Sequence, residues 1–537
     1  MSGRWTRRDL LKLGTAGAAS LAGLARPQDA RGQAKPGTAA NYDVNQKVYR
    51  PSQRPVRVGS VRQLLFDDFF LAMARSEKWD QLAYGVRFSL GKVQKHGVAI
   101  LEGAAPWEKG AAWVSVLREG ERYRMWYNSS HADRRGLRVS YADSKDGIHF
   151  DKPKLGHVEI RGSRENNVVF EGGFGGVSPE LGNVFRDPNA EPGEEYKMVY
   201  AEWNGPYIYD LPFTGSNGTL RAAYSADGLR WTRYYENFHG RYPDSQNVAC
   251  WDPALAKYVV YHRSRSRFAG LEAGSLRVKA QARGRAVGRM ESDDFREWSP
   301  SEVVLAPDLE DGLNTDIYNS AYSRHPDNVN AHYLFPSFYR HYQGTFEVQV
   351  ATSRDNLTWA RACRDTFIPL GAPGKFDCFI ISVAPGFVPV DRDTWALYYR
   401  SGDGPHGGSH PISLKYQPKS RVSRVTFKRD RVLGIEGSSE GGHFSTRAIA
   451  FEGSRLVLNA EPTGPSPQLS VQLLSSKTHD PIPGYTFADC RPISADGLDA
   501  PVIWRGKDRI GDDVPRGSIR LHFRLRAMCL YAFQFLP

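Results

Sequence analysis

The chain has 537 residues, more than one ordinary core accommodates, so two or three domains are expected. Hydrophobic residues at 40% and charged residues at 24% are globular values and exclude bulk disorder. The net charge of +12 raises nucleic acid as a partner, yet outside one basic segment the charges are interspersed. No nucleic-acid motif is present, so no such partner is expected.

Aromatic residues at 12%, with 52 Gly and 33 Pro, favour many short strands joined by turns. No run of 18 apolar residues occurs, so no membrane span is expected. The five cysteines include no C-x-x-C pair, which argues against a disulfide framework and a structural zinc site.

The N-terminus reads T-R-R-D-L-L-K from Thr6 to Lys12, followed by a weakly apolar Leu/Ala/Gly stretch. The adjacent Arg7 and Arg8 resemble a twin-arginine export signal. Residues 1–34 are expected to be that signal and 35–55 a linker, with the mature protein periplasmic or secreted.

Residues 56–417 carry five repeats. Each has two strand-like runs, the second rich in aromatics and starting at Tyr123, Tyr196, Tyr258, Tyr333 and Trp395. Four copies of S-x-D-x-x-x-W/F follow, with Asp146, Asp227, Asp294 and Asp355. These aspartates are equivalent and sit in turns, where Asp bonds its own backbone, so they read as structural. The pattern predicts an all-β fold, a five-bladed β-propeller. The run 62–72 (RQLLFDDFFLA) has no repeat of its own and is expected to supply the strand that closes the ring.

After Gln417 the repeat stops. Ile519, Leu521, Phe523 and Leu525 alternate with Arg520, His522, Arg524 and Arg526, the pattern of a half-buried strand. Residues 418–537 are expected to form a β-sandwich.

With the blade phrases YRMWYN, SYADSKDGIHF and AAYSADGLRW, LLFDDFF near the start and PIPGYTFADCRPI near the end, the chain resembles bacterial glycoside hydrolase family 32-like proteins. These belong to the five-bladed β-propeller furanosidase superfamily, with families 43 and 130. The resemblance implies a propeller followed by a sandwich and carbohydrate as substrate. It covers roughly residues 60–537. The family's R-D-P motif is matched by Arg186, Asp187 and Pro188, but P-N-A-E-P-G follows at once, so Asp187 reads as a hairpin turn. The W-x-N-D-P nucleophile and E-C acid motifs of the family are absent, which sets this chain apart from a fructan hydrolase.

An acid precedes each expected innermost strand: Glu108, Glu180, Asp244, Asp316 and Asp377. Glycoside hydrolysis needs a proton-donating acid and an ionised carboxylate across the scissile bond. Glu108 is the candidate acid, because Glu reaches farther than Asp; Asp244, Asp316 and Asp377 are candidates for base or nucleophile. Glu180, in a Gly-rich loop, is the weakest of the five. Polar groups on the same expected rim are candidate substrate contacts: Asn128, His131, Trp203, Asn204, Arg263, Arg340, His341, Arg400 and His406. Arginines there can clamp carboxylate or phosphate. His406 and His410 lie in the Gly-rich run GDGPHGGSH and read as loop, so no metal and no cofactor are expected.

The basic segment 261–290 holds eight Arg/Lys and predicts a preference for acidic or sulfated glycans. The leading expectation is an exported glycoside hydrolase acting on an oligo- or polysaccharide. The alternatives are a glycoside phosphorylase, with Arg263, Arg340, His341 and Arg400 holding phosphate, and a non-catalytic glycan-binding propeller.

Overall fold

A computed structural model describes residues 54–72, 81–131, 136–171, 178–203, 218–234, 244–265, 284–312, 314–406 and 418–537. The expected export signal, Asn204, His410 and the middle of the basic segment lie outside them. The chain is all-β: among the described residues, strands are joined by turns and two short 3₁₀ segments, Asp68–Phe70 and Leu309–Asp311. No helix among the described residues is long and apolar enough to cross a membrane.

The first three repeats each form a four-stranded antiparallel sheet in sequence order. The first runs Glu108–Glu119, Arg122–His131, Leu137–Ser144 and Val168–Phe170. The second and third begin at Ser178–Arg186 and Val248–Asp252. The fourth repeat is broken across its middle: Thr315–Ile317, Ser337–Arg340 and Thr345–Val348 pair on one side, and Tyr322–Arg324, His332–Leu334 and Ala351–Ser353 on the other. Pro336 lies at the break in the second strand, where it has no N–H to offer the ladder. The fifth repeat pairs Ile380–Val383 with Thr394–Gly402, and that strand with Ser420–Lys428.

The S-x-D turns are built alike. In the first, the Asp146 Oδ1 accepts from the backbone N–H of Ile148 and His149, both at 2.8 Å, while Ser144 Oγ accepts from Gly147 N. The next residue takes positive φ in every copy: Gly147 at 70°, Gly228 at 73°, Phe295 at 64° and Asn356 at 61°. Phe295 holds this strained conformation inside an aromatic cluster with Phe185, Tyr234, Tyr258 and Trp298.

These turns are also where successive repeats meet. Trp126 of the first repeat donates to Gly228 O in the second repeat's turn, and Tyr261 of the third to Asn356 O in the fourth's. Phe185 of the second packs on Phe295 in the third's. Tyr398 of the fifth donates to Gly147 O in the first repeat's turn, so the order returns on itself.

Neighbouring first strands do not share a ladder, and polar side chains meet their edge groups instead. Ser115 Oγ bonds both Val184 O and Val184 N. Asn183 bonds Ala249 O and N, and Gln246 Nε2 reaches Val114 O and Gly182 O. Each such bond contributes about 0.5–1.5 kcal/mol, and removing one would orphan a buried backbone group. Gly182 has no alternative at its position: a Cβ there would meet Asn247 O at 2.2 Å.

The run 62–72 does not close the ring. Gln63–Leu64 pairs with the last strand, Met528–Leu536, and Leu64 and Phe66 are buried under the fourth and fifth repeats. The outer strand of the fifth sheet comes from farther on: Gln94–Lys95 and Leu101–Glu102 pair with Ser420–Lys428. Phe66, Phe69 and Phe70 are too apolar to sit on a sheet rim, and all three are buried.

Strand pairing also crosses both expected domain limits, 56–417 and 418–537. Ser420–Lys428 belongs to the fifth repeat's sheet, whereas Val56–Gly59 pairs with Ile449–Phe451 and Val86–Leu90 with Leu433–Gly437. Two C-terminal sheets share one buried core. Phe444, Leu469, Leu521 and Phe523 come from one, and Ile435, Leu456, Leu458 and Phe533 from the other. Ile519, Leu521, Phe523 and Leu525 face that core as the alternation predicts; Arg520 and His522 on the opposite face are buried as well.

Candidate active site

The five acids have two fates. Glu108 and Asp377, at the start of the first and fifth repeats, are sealed. Glu108 accepts from Tyr127 Oη at 2.9 Å and pairs with Lys152 Nζ. Asp377 accepts from Tyr399 Oη at 3.0 Å and pairs with Lys95 Nζ. Each is a buried carboxylate held by a second-strand tyrosine and a remote lysine. Neither is bonded to the other three acids, and the Glu108 side chain is completely covered.

Asp244, Asp316 and Glu180 come together instead. Asp244 pairs with Arg263. Asp316 Oδ2 accepts from Arg285 Nη1 at 2.9 Å and lies 3.1 Å from His341 Nε2. Both guanidiniums lie against the Tyr318 ring, Arg263 at 5.9 Å and Arg285 at 4.9 Å from its centroid. Glu180 Oε1 accepts from Trp113 Nε1 at 2.6 Å, and Trp113 stacks on Tyr318. Arg400 stands 4.6 Å over the Trp113 ring, and His406 packs on Tyr318 and Tyr339. Side chains of all five repeats therefore meet around Tyr318.

Local backbone shape aims them. The ladder of the first sheet slips between Ala112 and Val114, and Trp113 takes φ 34°, a bulge that turns its indole toward Glu180. The ladder of the second sheet slips between Leu181 and Asn183 at the same level.

The electrostatics follow from this packing. Burial would raise the Asp316 carboxyl, but His341 and Arg285 outweigh it and hold it below the usual carboxylate range. Asp244 is likewise held low against burial by Arg263 and Arg285. Both are ionised at neutral pH. Burial, with Arg400 and Arg285 nearby, pushes His406 down to about 3, so its imidazole is neutral. Burial raises the Tyr318 hydroxyl, and Asp244 adds to this. Among the described residues several buried polar atoms of the cluster have no partner: Asp316 Oδ1, both amide atoms of Asn319, and Nε of Arg263 and Arg285. Asn319 lines a small cavity with Ser245, Gln246, Arg263 and Tyr318. A carboxylate oxygen bare on one side and fixed by a cation on the other can attack a carbon or accept a proton.

Other candidates do structural work. Asn128 is spent on Arg138 O, Pro179 O and Leu181 N, tying the first sheet to the second. Arg340 bonds Glu347, Thr315 and Asp311 O. Asp187 accepts from Asn189 N and from Tyr258 Oη and pairs with Lys197, a turn locked by a buried cation. His131 and Trp203 end their strands; their side chains lie outside the described set. Among the described residues no cluster of His, Cys, Asp and Glu is arranged to hold a metal ion.

Arg285, Trp113, Tyr318 and Asn319 are additions to the sequence-based set. Arg285 stood within the basic segment, and its strand register opposite Arg265 was the signal that would have singled it out. Trp113 was visible only as a strand residue, because a bulge decides where it points.

No protein-family model matches the chain. Two uncharacterised proteins of Mycobacterium tuberculosis, from strains CDC 1551 / Oshkosh and ATCC 25618 / H37Rv, are 31% identical over 12% of this chain. The chain spans 29% of the length of these curated relatives. The structural neighbours include several described as glycoside or glycosyl hydrolases. One described as a glycoside hydrolase is 14% identical with a TM-score of 0.45, over 63% of this chain and 92% of its own. A glycosyl hydrolase from Bacteroides ovatus is 15% identical with a TM-score of 0.40, over 63% and 94%. An α-L-arabinofuranosidase from Podospora anserina is 11% identical with a TM-score of 0.40, over 63% and 96%.

Proposed function

We propose that the chain is a carbohydrate-active enzyme, a glycoside hydrolase whose site is the cluster around Tyr318. The observation that carries this reading is Asp316: one oxygen is held by Arg285 and His341, and the other is buried and bare. Asp316 is the nucleophile or base, and Glu180, rather than the sealed Glu108, supplies the proton. Asp244 and Arg263 orient the sugar and balance its charge. The scaffold is a five-bladed β-propeller, supported by the cyclic order of turn contacts, with a C-terminal β-sandwich to which residues 56–90 contribute. Twin-arginine export through Arg7 and Arg8 belongs to the same reading; exchanging both for Lys in a fusion should hold the reporter in the cytoplasm.

The test is a panel of oligosaccharides incubated with the native chain and with Asp316→Asn, with and without inorganic phosphate. Phosphate-independent release of reducing ends by the native chain alone supports hydrolysis at this site. Undiminished cleavage by the variant sinks the assignment, and turnover only with phosphate makes the enzyme a phosphorylase.

A further inference from the structure

Three guanidiniums enter the cluster, and two are neutralised on the spot. Arg263 pairs with Asp244, and Arg285 with Asp316. Arg400 differs: among the described residues no carboxylate lies within ion-pair distance of it, and its one hydrogen bond runs from Nε to Ser420 Oγ at 3.1 Å. That bond and the Trp113 ring at 4.6 Å fix the plane of the group and leave its terminal amino groups uncommitted. Arg400 is half-buried. Burial weighs against its charge, and Tyr318, Glu180 and Asp244 offset this only from a distance.

A cation removed from water without a partner is costly, and a planar guanidinium is matched by an oxyanion that accepts two parallel N–H bonds. Two other members of the cluster carry unbonded polar atoms, the Oδ1 of Asp316 and the amide of Asn319.

We infer that Arg400 is the specificity-determining residue of this site and receives a carboxylate carried by the substrate, so that the preferred glycan contains a uronic acid. The inference rests on the cluster being the substrate site; binding, not turnover, tests it. An ester of the same sugar keeps every hydroxyl and removes the charge, so it isolates the contribution of Arg400. A free phosphate would satisfy the same guanidinium, and the experiment separates the two sources.

The probes are disaccharides of galacturonate, glucuronate, mannuronate and guluronate, each with its methyl ester, and inorganic phosphate. Titrations use the full chain and the Asp316→Asn variant, which blocks cleavage during the measurement. At least one acid should bind about ten-fold or more tightly than its ester. Arg400→Gln should remove that difference while the ester binds as before, and Arg400→Lys should restore part of it. Unchanged melting temperatures establish that both variants are folded. Equal binding of acid and ester, or no binding of any uronate, overturns the inference. Phosphate binding that depends on Arg400, without uronate binding, assigns the group to free phosphate and overturns it too. Cleavage lost in Asp316→Asn with no acid preference leaves the hydrolase reading standing and this inference refuted.

Discussion

Glu108 and Asp377, in the first and fifth repeats, and Asp244 and Asp316, in the third and fourth, stand at or near the first strand of their repeats and do opposite work. The first pair is met by lysines and tyrosines: Lys152 and Tyr127 take the two oxygens of Glu108, whereas Lys95 and Tyr399 share Oδ2 of Asp377. The second pair is met by Arg263 and Arg285, and Asp316 keeps an oxygen bare. Glu108, a buried carboxylate with both oxygens committed, holds sheets together; Asp316, with an oxygen in reserve, can react. The repeat supplies the acid, and neighbours from elsewhere decide its use.

The largest effect should come from the reactive side. Asp316→Asn is expected to lower turnover per folded molecule by about 10³-fold, within the range for a positioned acid or base, and also to lower the melting temperature, because it leaves Arg285 without its carboxylate. Comparable loss in Glu108→Gln, measured per folded molecule, would break the distinction. On the sealed side the expected loss is in stability. Glu108→Gln or Asp377→Asn leaves a lysine unpaired and should cost about 2–4 kcal/mol in denaturant unfolding, since each lysine keeps some exposure, while the rate per folded molecule holds. A smaller effect is expected for Asn128→Ala, about 1–3 kcal/mol from orphaned backbone groups, with KM unchanged because Asn128 bonds protein and not sugar.

The smallest effect is on pH dependence. The folded-state pKa of Asp316 is depressed, so its ionised form contributes stability that is present above the unfolded value of 3.8 and is lost as pH falls through the folded one. The acid limb of kcat/KM should therefore lie below 3.8 and move upward in His341→Gln, which removes one lowering partner. A limb that stays in place would detach Asp316 from the rate.

Much of this architecture was readable from local chemistry. Asp146, Asp227, Asp294 and Asp355 each accept from backbone N–H groups two and three residues on, a bond that needs nothing remote. Asp244 does precede its strand, Val248–Asp252, whereas Asp316 lies within Thr315–Ile317 rather than before it. Which acids are sealed was not readable, because Lys95 and Asp377 are brought together only by the pairing of Gln94–Lys95 with Ser420–Lys428. Trp113 depends on a slip in the ladder, and Glu180 on the indole this slip delivers. The run 62–72 was misassigned because a short apolar segment fits either of two sheets, and long-range packing chose the C-terminal one.

The way the two ends of the chain are laced together bears on how the molecule is made. Val56–Gly59, Gln63–Leu64 and Val86–Leu90 find their partners only at Ile449–Phe451, Met528–Leu536 and Leu433–Gly437, and Leu101–Glu102 waits for Ser420–Lys428. Each pairing closes a loop of several hundred residues, so contact order is high and folding slow. On the ribosome the first strands emerge several hundred residues before the strands they pair with. Neither a fragment ending at 417 nor one starting at 418 contains a finished set of sheets. The sheets at the two ends of the chain therefore depend on each other for completion, and losing either set should unravel both.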